Sequence, residues 1–184
     1  MKISITGTHS SGKTTLAKLC SEKLGLKYVR GDTMRETMRK YFPGKTFETL
    51  TAREHWDLEV IGLKERISAE MLFSNYVSDG CTLNSIAYAN AFLGKKILEM
   101  PDVDDFLEMA TSNAKNYDVI FYLPPEIPLE CDGFRPIDRD FRLHVDKLLI
   151  NTSEKYNFVQ IKGTIEERID SIEKFIKNKK IEFC

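Results

Sequence analysis

Residues 7–14 read Gly7-Thr8-His9-Ser10-Ser11-Gly12-Lys13-Thr14 and fit G-x-x-x-x-G-K-[ST], the pattern of a phosphate-binding loop. The flanks agree with it. Ahead of the loop, Ile3 and Ile5 alternate as in a short strand. Behind it, Leu16, Leu19, Cys20 and Leu24 recur at helical spacing, and Gly25 is placed to end that helix. Strand, glycine loop, helix is the order that phosphate binding needs. Gly7 and Gly12 permit a tight turn. The backbone of His9, Ser10, Ser11, Gly12 and Thr15, with the helix N-terminus, presents N–H donors and partial positive charge to an anion. Lys13 is positioned to neutralise β- and γ-phosphate charge, and the Thr14 hydroxyl to ligate Mg²⁺. The competing reading, an accidental glycine-rich turn before a helix, is disfavoured by the strand-loop-helix context.

The rest of the composition sets bounds. A chain of 184 residues with 42% hydrophobic and 30% charged residues fits one α/β domain over residues 1–184. The net charge of −1 gives no overall bias toward nucleic acid or membrane. The cysteines, Cys20, Cys81, Cys131 and Cys184, are scattered without a C-x-x-C pair, which argues against a zinc site and suits a reducing cytoplasm. No run is long and apolar enough to span a membrane, and the N-terminus reads as strand rather than signal peptide.

Along the chain, 27–30 reads as a second strand. It leaves Asp32 beyond a strand's carboxyl end, where open α/β sheets bind ligands. Asp32 is either the N-cap of the next helix or a general base for an acceptor hydroxyl, and one residue can do both. Arg35 and Arg39 follow on one helical face. A long helix is expected over 51–73, with Trp56, Val60, Leu63, Ile67 and Met71 as its apolar stripe and His55 at the surface. Arg53, near its start, is a candidate for facing substrate. Residues 75–80 read as a central strand ending at Asp79, either a carboxylate for the Mg²⁺ water shell or a turn-forming Asp-Gly pair. Helices are expected over 82–92 and 102–116, and 118–123 is a buried strand stopped by Pro124-Pro125. Arg135, Arg139 and Arg142 then recur at spacings of four and three, within a stretch (about 126–145) that reads either as a lid over transferring phosphate or as a solvated face. A helix to about 153, a last strand over 157–161 and a closing helix from Ile165 complete the chain.

These segments together carry a resemblance. The loop and its continuation Thr15-Leu16-Ala17 resemble those of small P-loop nucleoside and nucleotide kinases. The stretch 78–89 looks like the group's Asp-Arg or Glu-Arg segment running into an Ala-Tyr helix. Residues 117–124, followed by Asp132-Gly133-Phe134-Arg135, resemble the strand-to-lid segment of the AAA-type ATPase/kinase family that includes the nicotinamide-riboside kinase domain and related phage kinases. The resemblance implies a three-layer α/β fold with a five-stranded parallel sheet in the order 2-3-1-4-5, and phosphoryl transfer from ATP with Mg²⁺. On these positions it implies Lys13 and Thr14 as phosphate and metal contacts, Asp79 as the metal-side carboxylate, Asp32 as the substrate-side acid or base, and Arg135 and Arg139 in the lid; Arg35, Arg39 and Arg53 are candidates for the acceptor from their own positions in the chain. The acceptor is expected to be a nucleoside, a nucleoside monophosphate or a modified pyrimidine, free or within DNA. The place is the cytoplasm, the host's if the gene is phage-borne. One departure stands out: Gly80 replaces the family's arginine after the acidic residue, so Arg35 or a lid arginine is expected to substitute. The rival functions are a P-loop ATPase that couples hydrolysis to a conformational change or a partner, and a nucleotide-binding module without turnover.

Overall fold

The central strand, β1 (Lys2–Gly7), has two different buried faces. Ile3 and Ile5 go to one side; Ser4 and Thr6, equally buried, go to the other. Buried hydroxyls need partners. Ser4 Oγ donates to the Gly80 carbonyl at 2.9 Å, and Thr6 Oγ1 donates to Asn84 Oδ1 at 2.6 Å. The polar face of β1 is thereby tied to the segment after β3.

The structure is a computed structural model that describes residues 1–32, 34–129, 138–152, 155–156 and 158–182, without the side chains of 179–182. The strands are β1, β2 (Lys27–Val29), β3 (Tyr76–Asp79), β4 (Val119–Leu123) and β5 (Phe158–Gln160). The helices are α1 (Lys13–Leu24), α2 (Met34–Tyr41), α3 (Ala52–Met71), α4 (Leu83–Leu93), α5 (Val103–Ala114), α6 (Arg139–Ile150) and α7 (Ile165–Glu182). All strand pairs are parallel and the order is β2-β3-β1-β4-β5, as expected. Parallel pairing requires crossovers, and helices supply them. On one face α1 and α7 pack Leu16, Cys20, Ile169 and Ile172 against Ile3, Ile5, Val77 and Phe121. On the other, α4 and α6 pack Leu83, Ala87, Val145 and Leu149 against Tyr76, Ile120 and Tyr122. A further cluster lies around Trp56 and Leu63 of α3 and Phe106 and Ala110 of α5. No described helix is long and apolar enough to cross a membrane. Burial pushes the Cys20 thiol up to about 12, so it is a core group rather than a nucleophile.

Helix α3 starts where its chemistry predicts. Thr51 is the N-cap and forms a reciprocal box with Glu54, whose carboxylate accepts the Thr51 N–H at 2.9 Å. Lys45 also bonds Glu54, and the two together hold its carboxyl down to about 2. Three expectations are corrected. Met71, the last residue of the expected stripe, is 79% exposed, because by then the helix has run past the core. His55 is not at the surface: its ring stacks on Phe92 at 4.8 Å and meets Phe47 edge-on. Residues 94–99, with no expected element, form a 3-10 turn that buries Ile97. Cys131, Cys184 and Arg135 lie outside the described residues.

Candidate active site

The chain leaves β1 at Gly7 with φ +145°, where a Cβ would stand 2.5 Å from the Leu123 carbonyl oxygen. Only glycine allows that approach. Ser10 (φ +56°) and Gly12 (φ +86°) complete the turn, and Gly12 becomes the N-cap of α1. Lys13 follows, its ammonium folded back onto the Thr8 carbonyl. Thr14 and Thr15 are exposed on the first turn of α1. Thr8 and Ser11 are fully buried, and the Ser11 hydroxyl finds no protein partner among the described residues. His9 departs from a plain loop position. Its backbone N–H donates to Tyr88 Oη at 3.0 Å, and its ring Nδ1 lies 3.1 Å from the same oxygen, buried against α4.

The loop is held from both faces of the sheet. Arg142 of α6, 4% exposed, donates from Nε to Thr8 Oγ1 at 3.2 Å, from Nη2 to the Ser10 carbonyl at 3.3 Å and from Nη1 to the Ile127 carbonyl at 2.7 Å. Arg168 of α7, 2% exposed, donates from Nη1 to the Ser11 carbonyl at 2.9 Å and from Nε to the Gly163 carbonyl at 2.8 Å. Its Nη2 meets Glu126 at 3.1 Å. Asn84, in the first turn of α4, donates to the Gly7 carbonyl at 3.0 Å and accepts from the Cys81 N–H at 3.0 Å. The loop carbonyls are therefore taken up by fixed donors, the kind of preorganisation an anion cradle needs. Burial lowers the Arg142 pKa, opposed by Asp146 one turn on. Burial likewise raises the Asp146 carboxyl, opposed by the Tyr122 hydroxyl at 2.7 Å and by Arg142.

Arg142 is thus a correction. Expected on a lid face, it is a buried brace of the loop, because Val145 and Leu149 share its side of α6 and carry it inward. Arg139 is exposed at the start of that helix, whose N-cap is Asp138.

A cavity of about 130 Å³ opens beside Lys13, between α2, α3 and α4. Asp32 lines it, exposed, with Lys40 Nζ 4.0 Å away. The expected Arg35 and Arg39 do not line it, nor does Arg53: α2 turns Met34 and Thr37 to the cavity instead. Arg53 is an exposed side chain paired with Asp57 at 2.9 Å, one turn along the helix. From α3 come Leu58, Glu59 and Arg66, and from α4 come Asn84, Ser85 and Tyr88. Glu59, 5% exposed, and Arg66 are pocket residues that the sequence reading missed. Asp79 ends β3 on the α1 side and accepts a hydrogen bond from Tyr28 Oη at 2.9 Å. Burial, then the Asp79 charge, raises the Tyr28 pKa. A second cavity, of about 220 Å³, shares Tyr88 as a wall and is lined by His9, Phe47, His55, Phe92 and Phe141. The carboxylates of Glu48 and Asp138 also border it.

A phosphate-binding loop at the carboxyl end of the middle strand, with this sheet order, defines the P-loop fold of small kinases. Residues 2–168 match the family described as AAA domain, and the chain belongs to that family. The deoxyadenosine kinase from M. mycoides solved with bound dATP is 14% identical, with a TM-score of 0.69, covering 96% of this chain and 100% of that one. The thymidylate kinase from Candida albicans is 17% identical, with a TM-score of 0.70, covering 97% and 92%. The cytidylate kinase of Archaeoglobus fulgidus is 39% identical over 72 residues, 39% of each chain. The chain thus aligns with about two fifths of the length of the curated relatives it matches.

Proposed function

We propose that this protein is a P-loop kinase that transfers the γ-phosphoryl group of ATP to a nucleoside or nucleotide. The observation that carries the reading is the pair of cavities sharing Tyr88. One begins at the loop lysine and is polar, with Asp32, Glu59 and Arg66; the other is a slot walled by aromatic rings. A sugar or phosphate suits the first and a flat base suits the second, by stacking. The base-modified acceptors expected from the sequence, free or within DNA, belong to this reading as members of the same class.

The loop N–H groups and Lys13 hold the phosphates. The Thr14 hydroxyl, with phosphate oxygens and water, would hold Mg²⁺, and Asp79, with one carboxylate oxygen taken by Tyr28, would reach it through water. When bound, Mg²⁺ would neutralise phosphate charge during transfer. The new bond joins the acceptor oxygen to phosphorus, and the bond from phosphorus to the ADP oxygen breaks. Where the acceptor is an alcohol, its proton passes to the Asp32 carboxylate, which faces the same cavity as Lys13. Arg139 and Arg135 would add positive charge from the lid.

The test is ATP consumption with Mg²⁺ against deoxyadenosine, deoxycytidine, thymidine, their 5′-monophosphates, AMP, CMP, nicotinamide riboside and DNA carrying hydroxymethylated pyrimidines, with Lys13→Ala as background. Stimulation by one acceptor class, abolished by Lys13→Ala, is the expected result. Hydrolysis indifferent to every acceptor would refute the kinase and favour the ATPase.

A further inference from the structure

Gly80 follows β3 with φ +102°, and a Cβ there would stand 2.8 Å from Arg66 Nη2 and 3.1 Å from Cζ and Nη1. The guanidinium of Arg66 thus fills the space above residue 80. It arrives from α3, a separate element. Nη1 donates to the Asp79 carbonyl at 2.8 Å and to Ser78 Oγ at 3.3 Å. Ser78 Oγ in turn donates to the buried Glu70 carboxylate, which also receives Tyr117 Oη at 2.8 Å and Asn113 Nδ2 at 2.9 Å. The guanidinium is therefore aimed from behind by a fixed hydrogen-bond chain. Arg66 also lines the cavity that begins at Lys13.

The chemistry of that placement is specific. Among the described residues no carboxylate pairs directly with Arg66; its partners are a peptide carbonyl and a hydroxyl. Within those residues the guanidinium makes no direct ion pair, its link to the Glu70 carboxylate running through Ser78, and its remaining N–H groups match phosphoryl oxygens. It stands at the carboxyl end of β3, beside the strand that delivers the phosphate loop.

We propose that Arg66 is a catalytic residue that contacts the phosphoryl group in transfer, in the place where Arg35 or a lid arginine was expected to substitute for a side chain at position 80. The inference rests on the kinase reading above. Arg66 neither gains nor loses a proton in the step. It neutralises charge on the three non-bridging oxygens while the acceptor oxygen–phosphorus bond forms and the bond to ADP breaks. Because the contact is made to the group in flight, its loss falls on kcat more than on KM. A merely structural Arg66, tying α3 to β3, would instead lower stability and leave the turnover of folded protein intact.

The experiment uses the full chain and whichever acceptor of the panel above gives the highest turnover. Arg66→Gln keeps an N–H for the Asp79 carbonyl but removes the charge. Its kcat is expected to fall about 10²–10³-fold, as for loss of one donor to a transition-state oxygen. KM for ATP should stay within about threefold, and the unfolding midpoint should shift by no more than about one kcal/mol's worth, roughly 2–4 °C for a chain this size. Arg66→Lys should recover part of the loss, and ethylguanidinium in solution should raise the turnover of Arg66→Ala. Arg66→Gln with kcat within threefold of wild type overturns the proposal, as does a loss that appears wholly in KM or in the folded fraction. If the wild type phosphorylates no acceptor, the kinase reading falls and takes this inference with it. Transfer by the wild type with an unaffected Arg66→Gln refutes the inference alone.

Discussion

Replacing Arg168 with methionine tests the claim that the phosphate loop is held by buried guanidinium groups. The substitution keeps most of the side-chain stem and removes three bonds, to the Ser11 carbonyl, the Gly163 carbonyl and Glu126. The Glu126 bond counts least: that carboxylate is 40% exposed, and pairs of this kind contribute about 0–1 kcal/mol. The carbonyl bonds come from a charged donor, about 1.5–3 kcal/mol each, and truncation leaves the Ser11 carbonyl inside without a partner. Against this stands the relief of no longer desolvating a guanidinium. The balance is about 3 kcal/mol, or a fall in Tm of about 6–12 °C for a chain of this size. Urea unfolding followed by the fluorescence of Trp56, the chain's one tryptophan and 2% exposed, reads it directly. Glu126→Gln is the control and should cost less than about 1 kcal/mol. ADP titrated calorimetrically should bind about tenfold more weakly to Arg168→Met, equivalent to ~1.4 kcal/mol of lost preorganisation. If Arg168→Met costs no more than Glu126→Gln, the ion pair and not the carbonyl anchorage is what Arg168 provides, and the bracing of the loop is refuted.

Burial lowers the His55 pKa below its ordinary 6.5, against a smaller opposing effect of its hydrogen bond to the Phe47 backbone. A depressed folded-state pKa means that its contribution is complete above pH 6.5 and is lost as pH falls through the folded value. Wild type should therefore lose stability relative to His55→Gln between pH 7.5 and 5; an equal difference in urea midpoint at both values would refute this. Arg53→Ala and Arg39→Ala remove exposed side chains outside both cavities, so turnover within twofold of wild type and stability within about 0.5 kcal/mol are expected. A tenfold loss of turnover in either would return that arginine to the acceptor site.

The phosphate loop and the strands were legible because each depends on local pattern; the sheet order followed only from the resemblance to P-loop kinases. The loop needs Gly7 and Gly12 where the backbone must turn, and β4 announces itself as an unbroken apolar run. What could not be read is what other elements bring to the loop. Arg142, Arg168, Asn84 and Arg66 act through approaches between segments far apart in sequence. Spaced arginines on a helix look the same whether they face water or a buried carbonyl. A signal did exist. Arg168 lies three residues after Ile165 and four before Ile172, on the apolar stripe of α7, and Arg142 lies three residues before Val145 and seven before Leu149, on the buried side of α6. An arginine on the buried stripe demands buried acceptors, and the loop carbonyls are those acceptors. Arg35, Arg39 and Arg53 sit near the right elements but are not among the residues lining the cavity.

The contact between Arg66 and Gly80 couples two positions. A side chain at 80 would enter the volume that the guanidinium holds, so with arginine there the Arg66 side chain would have to swing aside or be replaced. Across the family these sites should trade with each other, one cationic group passing between a strand end and a helix while the spot it occupies stays where it is. Position 66 would then be inherited as a partner of position 80 rather than as a feature of its own helix.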